Sequence, residues 1–176
     1  MRTFTTEHTV YAFEELSDDA KEKAIAEQRD GEYEVIDEWL GDELVDKLVT
    51  LLAKNKMTRV IRGGVTETPK VYYSLGYSQG DGAMFEGEVS WRGYTAIITH
   101  AGRYYHYNSR DIELVTAFGD EASSKAYDQF DDIYIAICKE LERYGYSTIE
   151  SAISDENIIE NIKLGAYEFY ADGRIA

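Results

Sequence analysis

The chain has 176 residues, and its 34 acidic against 18 basic side chains give a formal net charge of −16. That charge argues against binding to nucleic-acid phosphates or to an anionic membrane surface, because both repel carboxylates. With 44% hydrophobic and 13% aromatic residues, the chain has enough apolar surface to fold, which excludes a disordered acidic tail.

The charge is distributed unevenly along the chain. Residues 1–57 and 119–176 each carry a net charge of −8, whereas residues 58–118 are neutral. The acidic ends are rich in Ala, Leu and Ile, and the neutral middle is rich in Gly, Tyr and β-branched residues. This pattern predicts a single α+β domain, with a central antiparallel sheet of about five strands flanked by N-terminal and C-terminal amphipathic helices.

The acidic N-terminal part is predicted to form two helices. Ser17 can cap the first helix, which is expected to end near Asp30 because Gly31 follows. A second helix is predicted over Tyr33–Lys54, where Gly41 either kinks it or splits it in two. Its apolar stripe comprises Val35, Ile36, Trp39, Leu40, Leu44, Leu48, Leu51 and Leu52.

The neutral middle contains five segments of strand length that are rich in Tyr, Val, Ile or Thr. They are Lys70–Gly76, Met84–Trp91, Tyr94–His100, Arg103–Tyr107 and Ile112–Phe118. The short separators Arg92-Gly93, Ala101-Gly102 and Asn108-Ser109 predict hairpin turns between these strands.

The acidic C-terminal part returns to a helical period after Gly119. A long helix is predicted there, and Ser154 is predicted to begin a further short helix. Tyr167–Ala171 is expected to form a final strand. The long helix has one apolar face, formed by Ala126, Phe130, Ile133, Ile137, Leu141 and Tyr144.

Sequence motifs for catalysis are few. The histidines His8, His100 and His106 do not form a zinc-binding spacing. Cys138 is the only cysteine, which excludes an intramolecular disulfide, and its apolar neighbours predict a small buried side chain. We therefore predict no enzyme, no metal and no cofactor.

The segment Gly80-Asp81-Gly82 allows two interpretations. It can simply turn the chain, because glycine adopts positive φ and aspartate bonds its own backbone. Alternatively, Asp81 could join Glu86 and a histidine in a small metal-dependent hydrolase. The turn is the favoured interpretation.

Two groups of carboxylates recur at helical spacing. Side chains four residues apart lie about 5–6 Å from each other on a helix, so like charges there repel slightly and do not serve helix stability. Presented rigidly, such rows could replace backbone phosphates in a basic channel. A solvated helix face is the alternative. The candidate partner-binding residues are Glu34, Glu38, Asp42 and Asp46, followed by Asp128, Asp131 and Asp132.

The predicted sheet offers a second candidate surface. Alternation along strands places some of its tyrosines on a solvent-facing side, where they suit protein recognition. Tyrosines that cover a sheet against helices are the other possibility. The residues concerned are Tyr72, Tyr73, Tyr77, Tyr94, Tyr104, Tyr105 and Tyr107.

Three segments resemble a family of small phage and prophage proteins. The opening F-E-E-L-S-D-D-A-K-E-K-A at residues 13–24, the central Y-S-Q-G-D-G-A-M-F-E-G at residues 77–87 and the ending Y-E-F-Y-A-D-G-R at residues 167–174 carry the resemblance. Met84 departs from the small polar residue expected there. Some members of the family are labelled antitoxin-like, and acidic relatives look like anti-CRISPR inhibitors of Cas9-type nucleases. The resemblance implies a mobile-element origin and no catalytic residues.

Charge and resemblance together predict a phage-derived, non-enzymatic inhibitor of a bacterial defence nuclease of the Cas9 type. The expected partner is a bacterial nucleic-acid-binding protein, Cas9 or its guide complex, with no direct contact to nucleic acid or membrane. An antitoxin that neutralises a basic toxin is the alternative. Residues 1–8 contain no apolar run typical of a signal peptide, so the expected location is the cytoplasm of a bacterial host.

Overall fold

The computed structural model describes Arg2 and residues 7–176. The helices in this part are α1 (Asp18–Lys54), α2 (Ser124–Ala152) and α3 (Asp155–Leu164). The strands are β1 (Tyr11–Ala12), β2 (Met57–Arg59), β3 (Ile61–Arg62), β4 (Val65–Thr66), β5 (Lys70–Ser74), β6 (Gly82–Trp91), β7 (Tyr94–His100), β8 (Arg110–Thr116) and β9 (Glu168–Phe169). The predicted α+β class is confirmed.

The chain forms two compact units. The first contains the described residues up to Glu38 together with Thr148–Ala176, and the second contains Trp39–Ser147. Helices α1 and α2 each run from one unit into the other. The unit boundaries therefore differ from the three sequence segments distinguished by charge, and the single-domain organisation stays a prediction.

The second unit is built on a five-stranded antiparallel sheet, as predicted. Strand β7 lies between β6 and β8, with Trp91 opposite Tyr94 and Ile98 opposite Ile112. The long strand β6 has two further partners. Its C-terminal half pairs with β2, and its N-terminal half pairs with β5.

Helix α2 supplies large side chains to the core of the second unit. Its Tyr134 ring lies 4.9 Å from Phe85 of the sheet, and its Phe130 ring lies 5.6 Å from Trp91. The Tyr134 hydroxyl donates a hydrogen bond to the Phe85 carbonyl at 3.1 Å. A buried Tyr with a bonded hydroxyl satisfies its polar group while its ring fills the core.

The first unit has a small core of its own. Strand β1 pairs antiparallel with β9, and the rings of Phe13 and Phe169 lie 6.2 Å apart. Gly173 is required by close packing, because a Cβ there would lie 2.2 Å from the Ala20 carbonyl oxygen. The core comprises Phe13, Leu16, Ala20, Ala24, Ile158, Ile162 and Phe169.

Helix α1 differs from its prediction. Gly31 does not end a helix and Gly41 does not split one, because α1 is continuous from Asp18 to Lys54. Neither glycine has a positive φ. A glycine inside a helix costs only about 1 kcal/mol, which the buried apolar row of α1 outweighs.

The sheet prediction was wrong in one strand. In the predicted strand Arg103–Tyr107, residues 103–106 are irregular, and Tyr107–Ser109 form a 3₁₀ turn that His106 caps through its side chain. Gly102 has a φ of +134°, which redirects the chain after β7. The fifth strand is β2, which was not predicted because its three residues carry no alternating pattern. The turn at Arg92-Gly93 is confirmed by the pairing of Trp91 with Tyr94.

No helix within the described part of the chain is both long and apolar enough to cross a membrane. The prediction about a signal peptide concerns residues 1–8, of which positions 1 and 3–6 lie outside the described residues.

Candidate protein-interaction surfaces

The carboxylate row on α1 faces away from the buried residues of that helix. Glu34, Glu38, Asp42 and Asp46 are all exposed, and they follow one another at four-residue intervals. A parallel row of buried residues, Ile36, Leu40, Leu44 and Leu48, lies two positions further along the helix. Two residues correspond to about 200° of rotation in an α-helix, so the acidic row lies nearly opposite the buried one.

No basic side chain neutralises this row within the described part of the chain. The ion pairs found there all involve other acids. Residues 30–46 contain no Lys or Arg, which leaves the row without a cation on its own stretch of helix. The eight acids of that stretch are Asp30, Glu32, Glu34, Asp37, Glu38, Asp42, Glu43 and Asp46.

The members of the second predicted group, on α2, differ in exposure and in contacts. Asp128 and Asp132 are exposed, but Asp131 is half-buried. Asp131 Oδ1 accepts from Arg110 Nε at 2.8 Å, and Arg110 Nη2 lies 2.6 Å from each of its carboxylate oxygens. A pair with this fork geometry is among the stronger hydrogen-bonded ion pairs. Asp131 therefore fixes β8 to α2 and presents little free charge to a partner.

Asp81 is held by four hydrogen bonds. Its carboxylate accepts from the Ser78 amide at 2.7 Å, the Ser78 hydroxyl at 2.9 Å, the Ser74 hydroxyl at 3.0 Å and the Tyr146 hydroxyl at 2.9 Å. Desolvation alone would raise the pKa of Asp81, but these bonds outweigh it and hold the pKa below its ordinary value. Burial, together with the bond to Asp81, raises the pKa of Tyr146 to about 12. These contacts support the structural interpretation of this turn.

Glu86, the proposed partner of Asp81 in a hydrolase, has structural contacts as well. One carboxylate oxygen accepts from the Tyr72 hydroxyl at 2.6 Å, and the other accepts from the His100 amide at 3.3 Å. Among the residues that the structure describes, no three His, Cys, Asp or Glu side chains are placed to hold a metal ion. The hydrolase alternative thus stays a hypothesis without a donor set in that part of the chain.

Part of the tyrosine-rich surface forms a stacked cluster. The Tyr72 ring stacks on His100 at 5.2 Å and on Tyr105 at 5.4 Å. Lys70 Nζ lies 4.5 Å above the Tyr72 ring and 2.8 Å from its hydroxyl. Tyr105 is 39% exposed, so the cluster borders solvent. The sheet tyrosines thus remain a second candidate for protein contact.

The remaining reactive side chains have local structural contacts. His100 Nε2 lies 3.2 Å from the Tyr104 carbonyl, and His106 Nδ1 accepts from the Asn108 amide at 3.1 Å. His100 ends β7, where it pairs with Arg110 of β8, and His106 lies in the connection between these two strands. Cys138 is buried, as predicted, and its burial raises the pKa of the thiol to about 12.

Sequence reasoning missed one surface. Residues 54–62 contain Lys54, Lys56, Arg59 and Arg62 and no acid, and the hairpin β3–β4 that follows exposes Ile61 and Val65. A count of charges in short windows would have revealed this reversal of sign.

Comparison with known proteins adds no relative, since no protein-family model, curated protein or solved structure matches this chain. The resemblance of the three segments to phage and prophage proteins therefore stays a prediction.

Proposed function

We propose that this protein is a phage-derived, non-enzymatic inhibitor of a bacterial defence nuclease of the Cas9 type. It acts by covering basic side chains that otherwise hold nucleic acid. The observation that supports this proposal is the exposure of Asp42 and Asp46 in the second unit, nearly opposite buried Leu44 and Leu48 on the same helix. Neither carboxylate takes part in an ion pair within the described residues.

The physical basis is competition for the same cations. Lys and Arg side chains that bind phosphate form charge-assisted hydrogen bonds equally well with carboxylates. Cas9-type nucleases hold the guide–target duplex in a positively charged channel. Asp42 and Asp46 lie on the helical part of the second unit, so a partner meets them on a regular backbone with little ordering of the chain required.

The test measures cleavage of a target plasmid by Cas9 loaded with guide RNA. Wild-type protein is compared with the double variant Asp42→Lys/Asp46→Lys at about 50 mM and about 200 mM salt, a range over which contacts to polyanion-binding surfaces weaken strongly. Asp111→Lys/Glu113→Lys is the matched control, because both acids are exposed on β8 and the change in net charge is the same.

We expect the α1 variant to lose inhibition and the β8 variant to retain it. Inhibition by the wild-type protein is expected to fall steeply as salt rises. Equal loss in both variants would show that total charge rather than the row matters, and full inhibition by the α1 variant would refute the proposed contact.

Failure of the wild-type protein to inhibit Cas9 would remove the proposed target. Co-expression with a toxic basic neighbour would then test the antitoxin alternative, since rescue of growth is what that function requires.

A further inference from the structure

A groove of about 280 Å³ lies beside the C-terminal end of α1, entirely within the second unit. Buried Leu52 and Met57 contribute to its lining, and Ile61 of the hairpin β3–β4 lies at its rim with 67% of its surface exposed. The other lining residues include Val49, Arg59 and Thr66. Apolar side chains thus line a groove that is open to solvent.

The hairpin that forms one wall is held in place. Gly63 and Gly64 both have positive φ, as the tight turn between β3 and β4 requires. Arg62 Nη2 lies 2.6 Å from both carboxylate oxygens of Glu88, and Arg59 Nη1 donates to the Thr68 hydroxyl at 2.9 Å. These bonds fix an exposed apolar wall before any partner arrives, which lowers the entropic cost of binding.

The surroundings of the groove carry the opposite charge to the rest of the chain. Residues 54–62 hold four basic side chains and no acid, in a protein whose net charge is −16. Arg62 is paired with Glu88, so Lys54, Lys56 and Arg59 supply the positive charge. Lys54 and Lys56 are exposed, and they also lie at the negative end of the α1 dipole. Lys56 adopts a φ of 57°, a left-handed conformation that glycine or asparagine usually occupies after a helix.

We propose that this groove binds an acidic peptide segment of a partner protein through an apolar anchor side chain. The anchor packs against Leu52, Met57 and Ile61, and flanking carboxylates meet Lys54, Lys56 and Arg59. Complementary charge argues for an acidic occupant, and the exposed apolar wall argues for an anchor. In such an interface, a few apolar side chains of the peptide are buried in the groove, and charged side chains pair around its edge.

Other occupants fit less well. A second copy of the chain would bring another −16 charges, and a polynucleotide would bring a long row of phosphates, so both meet strong repulsion from the whole molecule. A short peptide brings few charges, and at physiological salt the distant acids are screened beyond about 8 Å. The local cations then dominate.

The inference does not depend on the proposed nuclease inhibition, since it concerns different residues of opposite charge. Loss of peptide binding leaves the role of Asp42 and Asp46 untouched, and the two proposals can fail separately.

The hairpin offers a matched pair of variants for the test. Ile61 and Val65 are equally exposed, at 67% and 66%, but only Ile61 lines the groove. Random 12-residue peptides displayed on phage are selected against the full-length protein. Synthetic fluorescent copies of the retained peptides are then titrated with wild-type protein, Ile61→Ser and Val65→Ser. A third variant, Lys54→Glu/Lys56→Glu, tests the rim.

We expect the retained peptides to be enriched in both Asp or Glu and large apolar residues. Ile61→Ser and Lys54→Glu/Lys56→Glu are expected to weaken binding by about tenfold or more, as loss of one buried side chain implies. Val65→Ser is expected to bind within about twofold of wild type.

Three results would overturn the inference. The first is that no peptide is retained, or that retained peptides show no acidic bias. The second is equal binding by the Ile61 and Val65 variants. The third is a concentration-dependent dimer, or binding of a labelled oligonucleotide, that Ile61→Ser or Lys54→Glu/Lys56→Glu abolishes, because the groove would then serve a different occupant.

Discussion

Two pairs of carboxylates in the second unit, one on α1 and one formed by Asp81 and Asp131, differ in what they contact. Asp42 and Asp46 face solvent with no ion pair among the described residues. Asp81 and Asp131, by contrast, are engaged by hydroxyls, an amide and a guanidinium within the second unit. The first pair contributes nothing to the packing of the unit, while the second pair connects its elements.

This difference shows that a net charge of −16 does not by itself describe a binding surface. A carboxylate that already accepts several hydrogen bonds has its oxygens occupied, and a partner must displace those bonds to reach it. Only unengaged carboxylates can replace phosphates at a basic surface. The comparison therefore predicts opposite effects on stability and on binding for the two groups.

The largest expected effect on stability comes from Asp131. Asp131→Asn removes the charge that the fork of Arg110 binds. The half-buried guanidinium keeps its bond to the Tyr107 carbonyl but loses its carboxylate partner. We expect a loss of about 2–3 kcal/mol in the free energy of unfolding, typical of hydrogen bonds to charged groups. Urea unfolding followed by circular dichroism measures this loss. An unchanged midpoint would mean that the pair contributes little.

A smaller, pH-dependent effect is expected at Asp81. Its pKa in the folded protein lies below the ordinary value of 3.8, so its contribution to stability is complete above that value and is lost as pH falls through the folded pKa. Asp81→Asn is expected to cost about 1–2 kcal/mol at neutral pH. The cost should shrink in strongly acidic solution. A constant difference from pH 7 to pH 2 would contradict this assignment.

The smallest effect on stability is expected on α1. Asp42→Asn/Asp46→Asn relieves repulsion between carboxylates four residues apart, which is worth only a few tenths of a kcal/mol per pair. We expect unchanged or slightly higher stability by the same urea measurement. A loss above about 1 kcal/mol would show that the fold does use these acids.

The sequence predicted the central strands well, because each has a clear β composition, and β7 also has a glycine turn at each end. Strand β7 was placed at Tyr94–His100 with both boundaries correct. Strand β2 could not be predicted, since Met57–Arg59 gains its strand conformation from pairing with β6 and not from its own residues. The tyrosine-rich residues 103–107 were wrongly predicted as a strand. Their β propensity reflects packing on a sheet, and this segment does not join the sheet.

The sequence could predict only some of the acids that remain free to contact a partner. Helical spacing placed Glu34, Glu38, Asp42 and Asp46 on one exposed side of α1, as found. The same spacing included Asp131, whose engagement depends on Arg110 of a strand 21 residues earlier in the chain. Contacts between elements distant in sequence decide which acids remain free. Periodicity along a single helix cannot reveal them.

Direct binding to guide-loaded Cas9 tests the central claim most sharply when all three groups of variants are compared. Dissociation constants are measured for wild-type protein, Asp42→Asn/Asp46→Asn, Asp81→Asn and Asp131→Asn, at a temperature where circular dichroism shows each to be folded. We predict that the α1 variant binds about tenfold more weakly or worse, although it is the most stable of the three, and that the other two bind within about twofold of wild type. Wild-type affinity in the α1 variant would contradict the account.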